Sequence, residues 1–433
     1  MKTLKIKNFI TSFLLIASFV LAPLFSPVQV QAAGNYHVPQ IWHIGSSLAT
    51  GNYIGAVTGQ GFSTTEAYVQ FRVTKAGTFS GLTGFVSTAN GSGTSTLKFR
   101  INGADGNQTI NWTSGQSGRK SDTTNSDTVA VGDLVSISLT TTAGSITLAS
   151  VTNLFQATSG DTVQFLMATG NETFGSNSLT RYYRPVGELE ILNSEPIRQN
   201  YIMQAATASD LAVYVSANTR TGTTTFRLRK NTANGNEVIA VTTLVTGLVR
   251  DSSNTDSIAA DNLIAHSMTT GGGSGSITTV NMQVTLTSTD PKQITLLGGV
   301  DRIRSSGAGA SYYMIAGSVG TGGVENGNKS VVGVDATITK FSVRTTSNGS
   351  NRDMIVTFRK NTANGNQTVT VTAGANSWAT DSTNNDVVDS NDELAFSIVP
   401  TSAGTGNVTW PEVSMLATFP DNTPSFIPQV DIF

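Results

Sequence analysis

The 433-residue chain has no cysteine, only three histidines and few charges. Without thiols there is no disulfide framework, thiolate metal site or cysteine nucleophile. His37, His43 and His266 are scattered, so no imidazole cluster is expected. Charged residues make up 12% of the chain, about half the usual quarter. Beyond the first few residues lysine and arginine do not cluster, which excludes a surface that neutralises phosphates and with it nucleic acid. After the N-terminal segment there is no run of about 18 apolar residues, so no membrane span is expected in the mature protein. Hydrophobic residues reach 38% and the net charge is only −2. Such a chain folds rather than staying disordered, with a surface of hydroxyls and amides in place of ions.

The first 32 residues read as an export signal. Lys2, Lys5 and Lys7 precede an apolar stretch from Phe9 to Phe25, and Val30-Gln31-Ala32 supplies a cleavage site before Ala33. Removing 1–32 leaves 23 basic against 28 acidic residues, a net charge of −5. A secreted or cell-surface bacterial protein is expected.

The remainder of the chain is one unit written three times. Phe99-Arg100-Ile101-Asn102 runs into Gly103-Ala104-Asp105-Gly106-Asn107-Gln108, and the pattern returns at Arg229–Glu237 and Phe358–Gln367. Asn102, Asn231 and Asn361 are 129 and 130 residues apart. On the same period lie Asp122–Asp127, Asp251–Asp256 and Asp381–Asp386. Two further markers are Gly132-Asp133-Leu134 with its echoes Asp261-Asn262-Leu263 and Asp392-Glu393-Leu394, and the aromatic starts Tyr53, Tyr182-Tyr183 and Tyr312-Tyr313. A unit of this length is domain-sized. The expected organisation is a signal at 1–32, repeats at 33–160, 161–290 and 291–420, and a C-terminal strand or tail at 421–433.

Each unit reads as β. Leu97–Ile101, Thr224–Arg229 and Met354–Arg359 are short strands rich in β-branched and aromatic residues, and the Asn-Gly and Asp-Gly pairs after them are expected to form the hairpin turns. Leu134–Leu139, Leu263–Met268 and Leu394–Val399 alternate apolar and polar residues. Ser145–Phe155, Ser276–Leu286 and Asn407–Phe419 close the units. No window has a helical period. The fold class is all-β, three tandem antiparallel sandwiches.

The run Val73–Leu82, Val86-Ser87, Leu97–Gly103 and Val131-Gly132-Asp133-Leu134 resembles jelly-roll domains of the C1q/tumour-necrosis-factor type, and also jelly-roll modules of bacterial and phage surface proteins. The second unit shares the pattern. The third departs from it where Asn391-Asp392-Glu393 replaces Gly-Asp. The resemblance implies jelly-roll sandwiches, trimerisation and ligand or receptor contact, and it transfers no catalytic residue. Three units in one chain would imitate the trimer as a pseudo-threefold.

The candidate site residues keep the period of the repeat. Asp122, Asn125 and Asp127, Asp251, Asn254 and Asp256, and Asp381, Asn384 and Asp386 offer oxygen ligands that calcium would accept. The spacing is not that of an EF-hand and no bidentate Glu comes after it, so Asx turns that bond their own backbone are the first reading. Arg100, Arg229 and Arg359 recur as structural cations, paired with the recurring aspartates or exposed, with glycan or anion binding as the alternative. Trp42, Trp112, Trp378 and Trp410 do not recur. Core burial is the first reading for each, with Trp112 and Trp378 the better placed to stack on sugars. Tyr182, Tyr183, Tyr312 and Tyr313 are expected to pack between repeats. No phosphate-binding loop or carboxylate pair for glycoside hydrolysis stands out, so no enzyme is expected. A structural or adhesive protein is the leading function, with self-association or other surface proteins as partners. Carbohydrate binding is the alternative and an extracellular hydrolase the third reading. Phe426–Phe433 suggests a terminal strand that adds to an open sheet edge.

Overall fold

In a computed structural model the described residues are 36–89, 92–175, 178–188, 193–299, 303–305, 309–318, 325, 328–345, 347–402, 405, 407–409 and 412–420. The export segment, Trp410 and the tail 421–433 lie outside them. No described helix is long and apolar enough to cross a membrane.

Eight principal strands build the first repeat. They are Val38–Leu48, Asn52–Ile54, Gly77–Ala89, Ser95–Ile101, Ala104–Trp112, Gly118–Val129, Leu134–Thr141 and Ile146–Ala157. One sheet has the order first-eighth-third-sixth and the other second-seventh-fourth-fifth. Two four-stranded antiparallel sheets wound in this order form a jelly roll. The second repeat repeats it with first strand Val163–Phe174, third Ala206–Asn218, fourth Thr224–Lys230, fifth Ala233–Val241, seventh Asn262–Thr270 and eighth Ile277–Ser288. In the third repeat the corresponding strands are Gln293–Gly299, Ala336–Arg344, Met354–Lys360, Ala363–Val371, Glu393–Pro400 and Glu412–Thr418. Period-2 patterning sets the faces: Leu97 and Phe99 point into the sandwich while Thr96, Lys98 and Arg100 point out.

The fourth-to-fifth hairpin is a two-residue turn at positive φ. It is made by Asn102-Gly103 (52° and 80°), Asn231-Thr232 (48° and 69°) and Asn361-Thr362 (50° and 69°). Asn234-Gly235 and Asn364-Gly365 are therefore not the turns expected of them. They lie in a bulge just beyond it, where Arg229 pairs with Asn234 but Arg227 pairs with Val238. Glycine is required there by a close approach: a Cβ on Gly235 would stand 2.3 Å from an Asp256 carboxylate oxygen, and one on Gly106 2.6 Å from Asp127.

The three sandwiches form one compact unit and share their cores around a ring. Phe165, on the first strand of repeat two, packs in the core of repeat one against Phe71 (4.9 Å) and Phe155 (4.8 Å). Leu297, on the first strand of repeat three, joins a core cluster of repeat two. Val38 and Ile41, on the first strand of repeat one, belong to the core of repeat three. At the centre the short strands Gly59–Gln60, Gly187–Glu188 and Gly317–Ser318 each pair in parallel with their own first strand and lie against one another. Each repeat thus lends part of its first strand to the core of the one before it.

Candidate functional site

The Asp-x-x-Asn-x-Asp segments tie the two sheets of each sandwich together at its outer edge. The fifth strand is an edge strand, and its bulge deprives backbone N–H groups of ladder partners. Carboxylates from the sixth-strand region satisfy them. Asp127 accepts from Asn107 N (2.6 Å) and Gln108 N (3.1 Å), and Asp122 from Thr109 N (2.8 Å). Asp256 and Asp251 accept from Asn236, Glu237 and Val238, and Asp386 and Asp381 from Asn366, Gln367 and Thr368. Asp122, Asp251 and Asp381 each also close a local turn through the backbone N–H groups two and three residues on, and take the amide of Asn125, Asn254 or Asn384. Burial alone would raise these three carboxyls, but the N–H donors outweigh it and hold all three below the ordinary range, Asp251 and Asp381 farthest. The carboxylate oxygens a calcium ion would use already accept hydrogen bonds from N–H groups. Among the described residues no group of three or more histidine, aspartate or glutamate side chains is placed to hold a metal ion.

The recurring arginines pair chiefly with glutamates. Arg100, Arg229 and Arg359 donate from Nε to Glu66 (2.8 Å), Glu195 (3.1 Å) and Glu325 (2.8 Å). They also donate to the turn carbonyls of Gly103, Thr232 and Thr362, and to Asp105, Asn234 and Asn364. Tyr53, Tyr182 and Tyr312 lie under the guanidiniums at 5.6, 5.6 and 5.2 Å. These tyrosines pack within their repeats, and Tyr183 and Tyr313 fill cores, so the tyrosine pairs do not sit between repeats. Sequence reasoning missed the glutamates, although Glu66, Glu195 and Glu325 keep the 129- and 130-residue period.

The tryptophans are placed by packing. Trp112 is 1% exposed, beside Gly84, with Nε1 donating to Gly118 O at 3.4 Å. Its faces belong to the core. Trp42 is buried likewise. Trp378 is half-buried where repeats two and three meet, 4.8 Å from the Tyr201 ring and 5.1 Å from the Arg344 guanidinium.

Polar contacts also join the repeats where they meet. In repeat one the segment from Tyr68 to Thr74 docks on the eighth strand of repeat two, with Arg72 N bonded to Gln283 Oε1 (3.1 Å), Gln283 Nε2 to Gln70 O (2.9 Å) and Asn281 to Tyr68 O (3.2 Å). The corresponding segment of repeat three docks on repeat one, where Ser150 and Thr152 donate to Lys329 O and Val331 O at 2.9 and 2.6 Å. Between repeats two and three the fully buried Glu412 accepts from Arg184 (3.3 Å) and Arg344 (2.6 Å), and Arg344 reaches Pro196 O. The three contacts close a cycle.

Burial shifts three further titratable groups. His43 and His266 are pushed down to about 3 by burial and stay neutral. Glu237 is pushed up to about 8, first by burial and then by Asp256, Asp251 and Asp210. It stands where the sister repeats hold Gln108 and Gln367.

No family model matches the chain, and no curated protein matches it. Among solved structures it is similar to one described as the triple jelly roll fold and turret assembly in an archaeal virus (10% identity, 81% of each chain covered, TM-score 0.15). A second is the Sulfolobus turreted icosahedral virus (12% identity, 88% of this chain and 83% of that one, TM-score 0.15). A third is the subviral particle of infectious bursal disease virus (11% identity, 95% and 89% covered, TM-score 0.18). The jelly-roll assignment rests on the strand order itself.

Proposed function

We propose that the protein is a non-enzymatic structural building block of the bacterial cell exterior, a single chain that takes the form of a trimer and associates with copies of itself. The observation that carries this reading is the closed cycle of shared cores and docked segments. Repeated clusters of carboxylate, arginine and tyrosine sit in all three repeats, and each is spent on holding edges and turns. Such an investment suits a rigid unit for a shell or fibre better than a reactive cleft. In the same reading the Asp-x-x-Asn-x-Asp loops are turns and edge ties, calcium is not required, and Trp112 and Trp378 serve packing rather than sugar recognition.

Light scattering with negative-stain imaging of residues 33–433, in calcium and then in chelator, tests it. The expected result is ordered assembly that does not change with calcium. A plain monomer that binds glycans and loses binding on Trp378→Ala would overturn the reading in favour of carbohydrate recognition, and hydrolysis of a polysaccharide by the pure protein would overturn it in favour of an enzyme.

A further inference from the structure

Asn234 and Asn364 occupy an unusual setting. Each is exposed, each precedes a glycine, and each has its side-chain oxygen held by an arginine Nη1, from Arg229 and Arg359. The equivalent residue of repeat one is already an aspartate. Asp105 sits in the same bulge, before Gly106, with Arg100 Nη1 on its carboxylate and Lys98 Nζ at 2.9 Å. The fold therefore displays, in one chain, both an amide and an acid at one structural position.

We propose that Asn234 and Asn364 are spontaneous deamidation sites whose aspartate products the fold is built to accept. The backbone nitrogen of the following glycine, unhindered by a side chain, attacks Cγ. A Cγ–N bond forms, the Cγ–Nδ2 bond breaks, and ammonia leaves with the proton from the glycine N–H. Water then adds across the new bond of the succinimide and restores the main chain with a carboxylate in place of the amide. No electrons are exchanged, and water is the only co-reactant. The arginine on Oδ1 is placed to stabilise negative charge as it builds there. In the product its hydrogen bond to a neutral amide becomes a charge-assisted pair, which is the stronger kind. Near Asn234 the residue matching Lys98 is Arg227, a second cation on the same strand.

Two other Asn-Gly pairs among the described residues serve as internal controls because their amides are pinned. Asn102 donates to Asp133 (2.8 Å) and accepts from Leu134 N (2.9 Å). Asn348 is buried, donates to Thr372 O (2.9 Å) and Ala375 O (3.2 Å), and accepts from Ser350 N (3.0 Å). Their leaving nitrogens are held, whereas Nδ2 of Asn234 and Asn364 has no acceptor among the described residues.

The experiment is incubation of freshly purified folded protein in ¹⁸O-labelled water near neutral pH, followed by peptide mass spectrometry. Label should enter at Asn234 and Asn364 faster than at Asn102 and Asn348, whose leaving nitrogens are held, and mainly as aspartate. The double variant Asn234→Asp/Asn364→Asp should melt no lower than the parent. Equal rates at all four positions, isoaspartate as the main product, or a lower melting temperature for the double variant would each overturn the proposal.

Discussion

At the scale of single residues, the repeated polar side chains do the work that a hydrophobic core cannot do at a sheet edge. Asp256 is 2% exposed and satisfies the N–H groups of Asn236 and Glu237. Replacing it with alanine strands both donors and should cost about 2–4 kcal/mol, read as a lower urea midpoint that calcium does not restore. Thr232 and Thr362 hold φ near 69° where repeat one has Gly103, and a β-branched residue is poorly suited to that region. Thr232→Gly should raise stability by about 1 kcal/mol, measurable as an increase in Tm. Glu237 gives a pH signature. Its folded pKa, about 8, lies above the unfolded value of about 4.3, so the native state binds the extra proton and stability falls as pH rises between these two values. Glu237→Gln should remove that slope, with the gain largest at and above pH 8 and vanishing toward pH 4. Parallel melting curves for the two proteins across this window would refute the assignment. Asp251 and Asp381 act in the opposite sense. Held low in the fold, they contribute stability at neutral pH that is lost as acid protonates them.

At the scale of strands and turns, much was legible in the chain and some was not. The period of 129 and 130 residues, the alternating strands at Leu134, Leu263 and Leu394, and the closing strands appear where the patterning puts them, because period-2 burial leaves a direct trace in residue type. The turns were only partly legible. Asn-Gly is the usual signal, yet here Asn231-Thr232 turns and Asn234-Gly235 bulges, since Gly235 is glycine to admit the Asp256 carboxylate rather than to reverse the chain. The aspartates themselves were ambiguous in sequence. Oxygen ligands for calcium and acceptors for backbone N–H are the same atoms, and only the three-dimensional approach of Asn107, Gln108 and Thr109 to Asp127 and Asp122 separates the two uses. Core sharing left no local trace at all. Phe165 looks like an ordinary apolar residue of the strand that opens repeat two, but its ring partners are Phe71, Phe79 and Phe155 of repeat one. Phe165→Ala should cost about 3–5 kcal/mol. Hydrogen exchange should then rise in the fourth and seventh strands of repeat one as well as in repeat two. Protection lost in repeat two alone would show the cores to be separate.

At the scale of the whole molecule, the three jelly rolls depend on one another. Each first strand lends apolar residues to the preceding repeat, each segment beside the Arg-Glu cluster docks on the next eighth strand, and the three short parallel strands meet at the centre. Cutting the chain at a repeat boundary would expose the apolar faces of Phe165, Leu297 or Val38 to water, about 1.5–3 kcal/mol for each large side chain. The ring is therefore expected to unfold as one cooperative body, although domains of this size usually melt separately. Scanning calorimetry of residues 33–433 tests that claim most directly. A single transition whose calorimetric and van't Hoff enthalpies agree is the predicted result, and two or three resolved transitions would contradict it.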